Sequence, residues 1–259
     1  MNIFGVILEI SKLYRMNLKN RYLGSKMGIL WAVLQPLMMM IMYIFVFGVI
    51  FKSKVEGSDS SIDYVIWFLC GFSPWMAISE GIATTASSII AGVNLIKNFT
   101  IKGEYIVIAA ALMGFPQMIV GILIILILSL ISGLGLSWTI IWLVPATIVM
   151  FCLISGVGLL LSASAVFNRD IIQILPTIIQ LAFYFTPIFY NASQITPILE
   201  KISLFNPIYQ IVDCFRNILF YHRNPDIVGI IYLLLLAMFF LILGIKYFRR
   251  LEGYFESVL

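Results

Sequence analysis

A chain of 259 residues in which 62% are hydrophobic and only 11% charged cannot hide its apolar surface inside a soluble fold, where about 25% of residues are charged. That balance excludes an ordinary globular enzyme and requires an integral membrane protein, whose architecture is set by helices of about 20 residues. The net charge of +4 is informative through its placement, because Lys and Arg collect on the cytoplasmic side of membrane proteins.

The chain opens on an amphipathic stretch. Ile3, Ile7, Ile10, Tyr14, Leu18 and Tyr22 recur at steps of three and four and build one helical face. Lys12, Arg15, Lys19 and Lys26 project from the other side. Residues 1–27 therefore read as a helix lying in the interface, its cations toward lipid phosphates or an acidic partner. Arg21 is the exception, because the same arithmetic puts it on the apolar face. No basic region precedes the first ten residues and no small-residue cleavage site follows, so a cleaved signal peptide is not expected. After Gly28 the charges stop until Lys52.

Six spans are expected, at 29–51, 64–88, 107–131, 138–166, 171–190 and 226–248. They are too long and uniform for barrel strands, which would alternate over about 10 residues. Placing the N-terminus inside puts 11 Lys and Arg on the cytoplasmic side and 5 on the other, a positive-inside bias. Both termini are then cytoplasmic, which requires an even number of spans. The 191–225 link carries two apolar clusters separated by Asn206-Pro207, neither long enough to cross. It reads as two short helices dipping into the outer leaflet and returning, or as a hairpin lying on the surface. A cytoplasmic tail, 249–259, completes one transmembrane domain, 1–259. The chain has no internal repeat, so a pathway along a symmetry axis calls for a second copy.

Catalytic chemistry is not visible. No Gly-rich phosphate loop ends in Lys-Ser or Lys-Thr. Cys70, Cys152 and Cys214 are odd in number and widely spaced, which suggests neither disulfide nor metal. His222 stands alone, and nothing points to nucleic acid. Gly156 and Gly158 sit in an apolar span and read as close-packing sites. Glu80 is the one carboxylate well inside a span, either a structural hydrogen bond or a polar point on a conduit wall. A lone carboxylate is a thin basis for ion coupling, so energy should come from a partner. The N-terminal helix, the 96–104 loop and the tail are short, amphipathic and cytoplasmic, suited either to lipid headgroups or to docking that partner. Tyr43 and Phe47 in span one, Trp67 and Trp75 in span two, and Tyr184, Phe185 and Tyr190 in span five are rich in aromatic planes. Core packing and interface belts account for such residues, and so does a lining on which sugar rings slide.

Arg21-Tyr22, Ser25, Gly28, Trp31 and Pro36 at these spacings resemble the start of the permease subunits of ABC-2 type exporters. The branch most resembled exports lipid-linked polysaccharide such as O-antigen, capsule or teichoic acid. The resemblance extends along the chain through Phe167, Arg169-Asp170, Thr186-Pro187-Ile188 with Tyr190, Asn206-Pro207 with Arg216, and FRRLE at 248–252. One departure is Ile101-Lys102-Gly103-Glu104, where the family has Phe-Pro-basic-Glu. The resemblance implies a homodimer of six-span subunits in a bacterial cytoplasmic membrane, above two ATPase subunits that bind ATP and Mg; this chain itself would hold no cofactor. It implies that Arg21, Tyr22, Lys97 and Glu104 couple to the ATPase. Arg21 and Lys26 would meet the lipid pyrophosphate, and the aromatics above would line the channel. An exporter of drugs or lipids on the same fold and a non-transporting scaffold remain open beside this.

Overall fold

The computed structural model describes residues 3–51, 55, 60–98, 101–190 and 203–258. Helix α1, Ile3–Arg21, ends with Lys19 and Arg21 in its last turn, where cations complement the helix dipole. Gly24 and Gly28 then take φ of +82° and +52°, a left-handed turn that glycine allows. This redirects the chain into the first span, Gly28–Ile50, whose core is α2, Trp31–Ile44, followed by a π-helical turn, Phe45–Ile50.

Helix α3, Ser61–Ala91, is the centre of the bundle. Its apolar window is 78% buried, against 11% for the first span, which leaves most of the first span's surface for lipid or another chain. Short α4, Val93–Asn98, crosses the link to α5, Gly103–Ala111. A single 3-10 turn, Leu112–Gly114, joins α5 to α6, Phe115–Ser132. The break has a local cause: Pro116 has no N–H to donate back and its ring crowds the carbonyl of Leu112. Gly114 uses the break to rest directly on the backbone of Ala77. A 3-10 turn, Trp138–Trp142, leads into α7, Leu143–Phe167.

Helix α8, Asp170–Phe185, falls short of the expected 171–190 span. Thr186 precedes Pro187 and is pushed to extended geometry, φ −96° and ψ 129°, because the proline ring disfavours helix at the residue before it. Most of the expected first half of the 191–225 hairpin, residues 191–202, lies outside the described residues. Its second half is α9, Pro207–Leu219, started by the Asn206 side chain accepting from Ile208 N at 2.9 Å. Helix α10, Ile227–Glu252, is capped by the Asp226 carboxylate, which accepts from Val228 N and Gly229 N. Helix α11, Phe255–Val258, closes the chain.

Among the described residues five helices are long and apolar enough to cross a membrane, with α8 as a shorter sixth apolar helix. Two cores divide the bundle. The larger is built on α3, α7, α9 and the ring cluster of spans one and two. The smaller gathers Leu13 of α1, Ile89, Tyr105, Ile106, Phe248 and Phe255. The N-terminal helix and the C-terminal tail therefore meet at one end of the molecule.

Candidate conduit wall and coupling site

Arg21 leaves the apolar face of α1 for a specific partner. Its Nη1 donates to Glu80 Oε1 at 2.5 Å, and each side chain is about a quarter exposed. The two anomalies of the sequence, a cation on an apolar face and a carboxylate inside a span, thus account for each other. Glu80 lies 11 residues before the end of α3, about 16 Å along its axis. The pair borders a cleft of about 480 Å³, shared by Asn17, Asn20, Thr84 and Ser88. Thr84 ties this wall to the next helix, donating to the carbonyls of Glu80 and Ala110 at 2.7 and 2.9 Å.

Tyr22 is partly exposed beside the Arg21 guanidinium, 5.8 Å from its ring centre. Lys26 is exposed and stands apart from the Arg21 cleft. A wider hollow of about 970 Å³ instead gathers Lys12, Arg15, Lys19 and Tyr22 under Gly24 and Gly28. The side chain of Lys97 lies outside the described residues. Glu104 is buried and takes a two-point bond from Arg249, Nε to Oε1 at 2.5 Å and Nη2 to Oε2 at 3.3 Å. Glu252 meanwhile accepts from Gly103 N at 3.2 Å, a carboxylate at the N-terminus of α5. The departure Gly103 is also explained, since a Cβ there would meet the Phe248 ring at 2.9 Å. The tail is therefore stapled to the start of the third span.

Most of the aromatics flagged in the sequence form one connected group. The Tyr43 ring lies 4.9 Å from Phe72 and 5.5 Å from Phe183. Phe47 is 5.0 Å from Phe189, and Trp75 is 5.5 Å from Phe183. Tyr184 joins through Phe183, and Tyr190 through Phe189; the Tyr190 hydroxyl donates to Tyr184 O at 3.0 Å. Phe185 points outward, 69% exposed. Trp67 is buried within the chain, its ring face occupied by the Arg216 guanidinium at 3.5 Å. Below the rings a second cleft, of about 190 Å³, runs between Gln35, Tyr43, Trp75, Gln117, Gln180 and Phe183 and reaches Glu80. Glu80 thus belongs both to the ion pair with Arg21 and to the border of the aromatic cleft.

The three glutamines were not singled out by sequence reasoning. Arg216 was named as an outer-side cation and, with Asn206-Pro207, as part of the family resemblance, but nothing in the sequence pointed to its burial. In the fold it is buried, its Nη1 donating to Pro187 O at 2.8 Å and its Nη2 to Ile188 O at 2.6 Å. Burial lowers its pKa to about 10, so it stays charged at neutral pH. The signal for the glutamines was available: uncharged amides inside otherwise apolar spans.

Comparison with known proteins follows the same lines. The model of the ABC-2 type transporter family matches residues 9–220. The O-antigen export system permease protein RfbA of Klebsiella pneumoniae is 24% identical over 247 residues, covering 94% of this chain and 92% of the relative. RfbA of Myxococcus xanthus is 22% identical, covering 83% and 81%. The polysialic acid transport protein KpsM of Escherichia coli is 20% identical, covering 95% and 94%. With four-fifths of its length inside one family model, the chain belongs to the ABC-2 type transporter family.

Proposed function

We propose that this chain is the conduit subunit of an ATP-driven exporter of lipid-linked polysaccharide, O-antigen foremost, in the cytoplasmic membrane of a bacterium. Two copies pair above two ATPase subunits, which supply ATP and Mg chemistry that this chain lacks. The names of the relatives support the cargo class. The Arg21–Glu80 bond carries the reading, because it joins a helix outside the spans to the wall of the conduit.

The geometry suggests how force enters. A push on α1, Tyr22, Lys97 and the Glu104 staple reaches α3 through the Arg21 hook. Glu80 borders both clefts, so tilting α3 widens or narrows the path between them. Arg21 and Lys26 offer charge-assisted donors to a lipid pyrophosphate near the cytoplasmic mouth. Tyr43, Phe47, Trp75, Tyr184, Phe185 and Tyr190 offer ring faces to the sugars, with Trp67 buttressing them from behind. A lining of many weak contacts lets a polymer slide.

The test is reconstitution with the ATPase and measurement of lipid-linked glycan moved per ATP hydrolysed. Arg21→Ala should lower that ratio by about tenfold, the worth of a charge-assisted bond. The reversed pair, Arg21→Glu with Glu80→Arg, should recover part of it. Movement of glycan by the purified chain without ATPase, or a complex that moves only drugs or phospholipids, refutes the proposal.

A further inference from the structure

Helix α8 carries a pattern beyond its aromatic end. Gln173, Thr177, Gln180 and Tyr184 follow steps of four, three and four, within an arc of about 60°, and all four are exposed. Ile174, Ile178 and Leu181, also exposed, centre about 100° further round the helix. The helix thus offers one apolar face suited to lipid and one neutral polar face that is not. Across from Gln180, Gln35 of α2 and Gln117 of α6 border the same 190 Å³ cleft, walled by Tyr43, Trp75 and Phe183. None of the four glutamine amides has a hydrogen-bond partner among the described residues. An amide facing hydrocarbon without a partner costs several kcal/mol, so this face meets water, ligand or protein.

The chemistry discriminates among these. Each amide offers two donors and an acceptor, which is also what a sugar hydroxyl exchanges, and the ring walls take the C–H faces. Helix interfaces between copies are enriched in small residues that allow close approach, whereas three of these four side chains are long. Among the described residues lining the cleft, Glu80 is the one charged side chain, and it is paired with Arg21. Arg169 is the cation nearest this face among the described residues, at the helix start one turn before Gln173 and next to Asp170, and the stretch from Gln173 to Tyr184 that follows is uncharged. We propose that Gln173, Thr177 and Gln180, with Gln35 and Gln117 opposite, form a hydrogen-bonding track for an uncharged, hydroxyl-rich glycan chain. This deepens the polysaccharide-export reading and rests on it.

The experiment uses the complex with its ATPase in proteoliposomes and two probes, a polyprenyl diphosphate bearing a neutral mannose oligomer and one bearing a sialic acid oligomer. The triple variant Gln173→Leu, Thr177→Val, Gln180→Leu should move the neutral probe about tenfold more slowly. Ile174→Ala and Leu181→Ala should stay near the wild-type rate. The wild type should move the acidic probe more slowly than the neutral one. In a Cys152→Ser background, Thr177→Cys and Gln180→Cys should react with a membrane-impermeant maleimide, and the neutral probe should slow that reaction. A triple variant that exports at the wild-type rate overturns the track, as does one that no longer pairs with a second copy. Equal export of both probes overturns the preference for a neutral chain. Glycan movement with unreactive Thr177→Cys and Gln180→Cys overturns this inference alone. Failure of the wild type to move either probe, with labelling intact, overturns the export reading itself.

Discussion

A buried guanidinium is stable only when its donors find acceptors, and Arg216 nearly achieves this. Two carbonyls and one indole face surround it, and only Nε is without a partner among the described residues. The carbonyls it holds, Pro187 and Ile188, belong to the stretch where α8 has been stopped by proline, so Arg216 replaces the helical bonds that this stretch cannot make. The Asn206 amide adds a bond to the Thr186 hydroxyl at 3.0 Å. Lysine has one ammonium and cannot reproduce the planar fork. Arg216→Lys is therefore expected to destabilise by about 2 kcal/mol or more, from carbonyls left short of a donor and a weakened ring contact. Thermal unfolding of the solubilised protein reads this, and an unchanged midpoint would contradict it. Such residues were legible only in part. Periodicity marked Arg21 as misplaced and hydropathy marked Glu80 as isolated, but 59 residues separate them and no local pattern links two helices. Charge counting could not tell that Arg216 is desolvated.

Elements were more legible than their joints, because span length follows from bilayer thickness while joints follow from single residues. The span expected at 107–131 reads as one continuous apolar helix, yet Pro116 puts a 3-10 turn in it. The end of α8 at Phe185 was written in Thr186-Pro187, but apolar residues continue to Tyr190 and mask the stop. Close packing, by contrast, was visible in advance at Gly156 and Gly158. Helix α7 meets α10 along its length, and a Cβ at Gly156 would lie 2.5 Å from Leu241 N. A Cβ at Gly158 would lie 2.6 Å from Thr85 Oγ1. Gly156→Val should separate the two longest-packed helices and cost about 1–3 kcal/mol by overpacking. Gly253→Ala, with open space around it, should stay within about 0.5 kcal/mol. Paired unfolding curves decide the matter, since equal midpoints for the two variants would mean that α7 and α10 can part without loss.

At the scale of the molecule, the question is how many times the chain crosses. Helix α8 has 16 residues, about 24 Å at 1.5 Å each, short of the roughly 30 Å of a bilayer core. Thr186 to Tyr190 follow in extended or bent backbone and can supply the remainder at about 3.3 Å per residue. Their carbonyls are met by protein rather than lipid: Arg216 at Pro187 and Ile188, and the Tyr64 hydroxyl at Phe189. Irregular backbone is tolerated at membrane depth under that condition. Parity argues the same way. Leu13 near one terminus and Phe255 near the other share a core, and a core lying at one membrane face would require an even number of crossings. Six crossings would meet both conditions, with α8 and its extension as the sixth and α9 returning without crossing. On the positive-inside rule, the shared end is then expected in the cytoplasm. Cysteines placed singly at Ser11 and Tyr254, in cells treated with an impermeant maleimide, should both stay unlabelled until the membrane is opened, while one at Arg223 should label at once. Labelling of Tyr254→Cys from outside would mean that α8 does not cross, and the path between the two clefts would lose one of its walls.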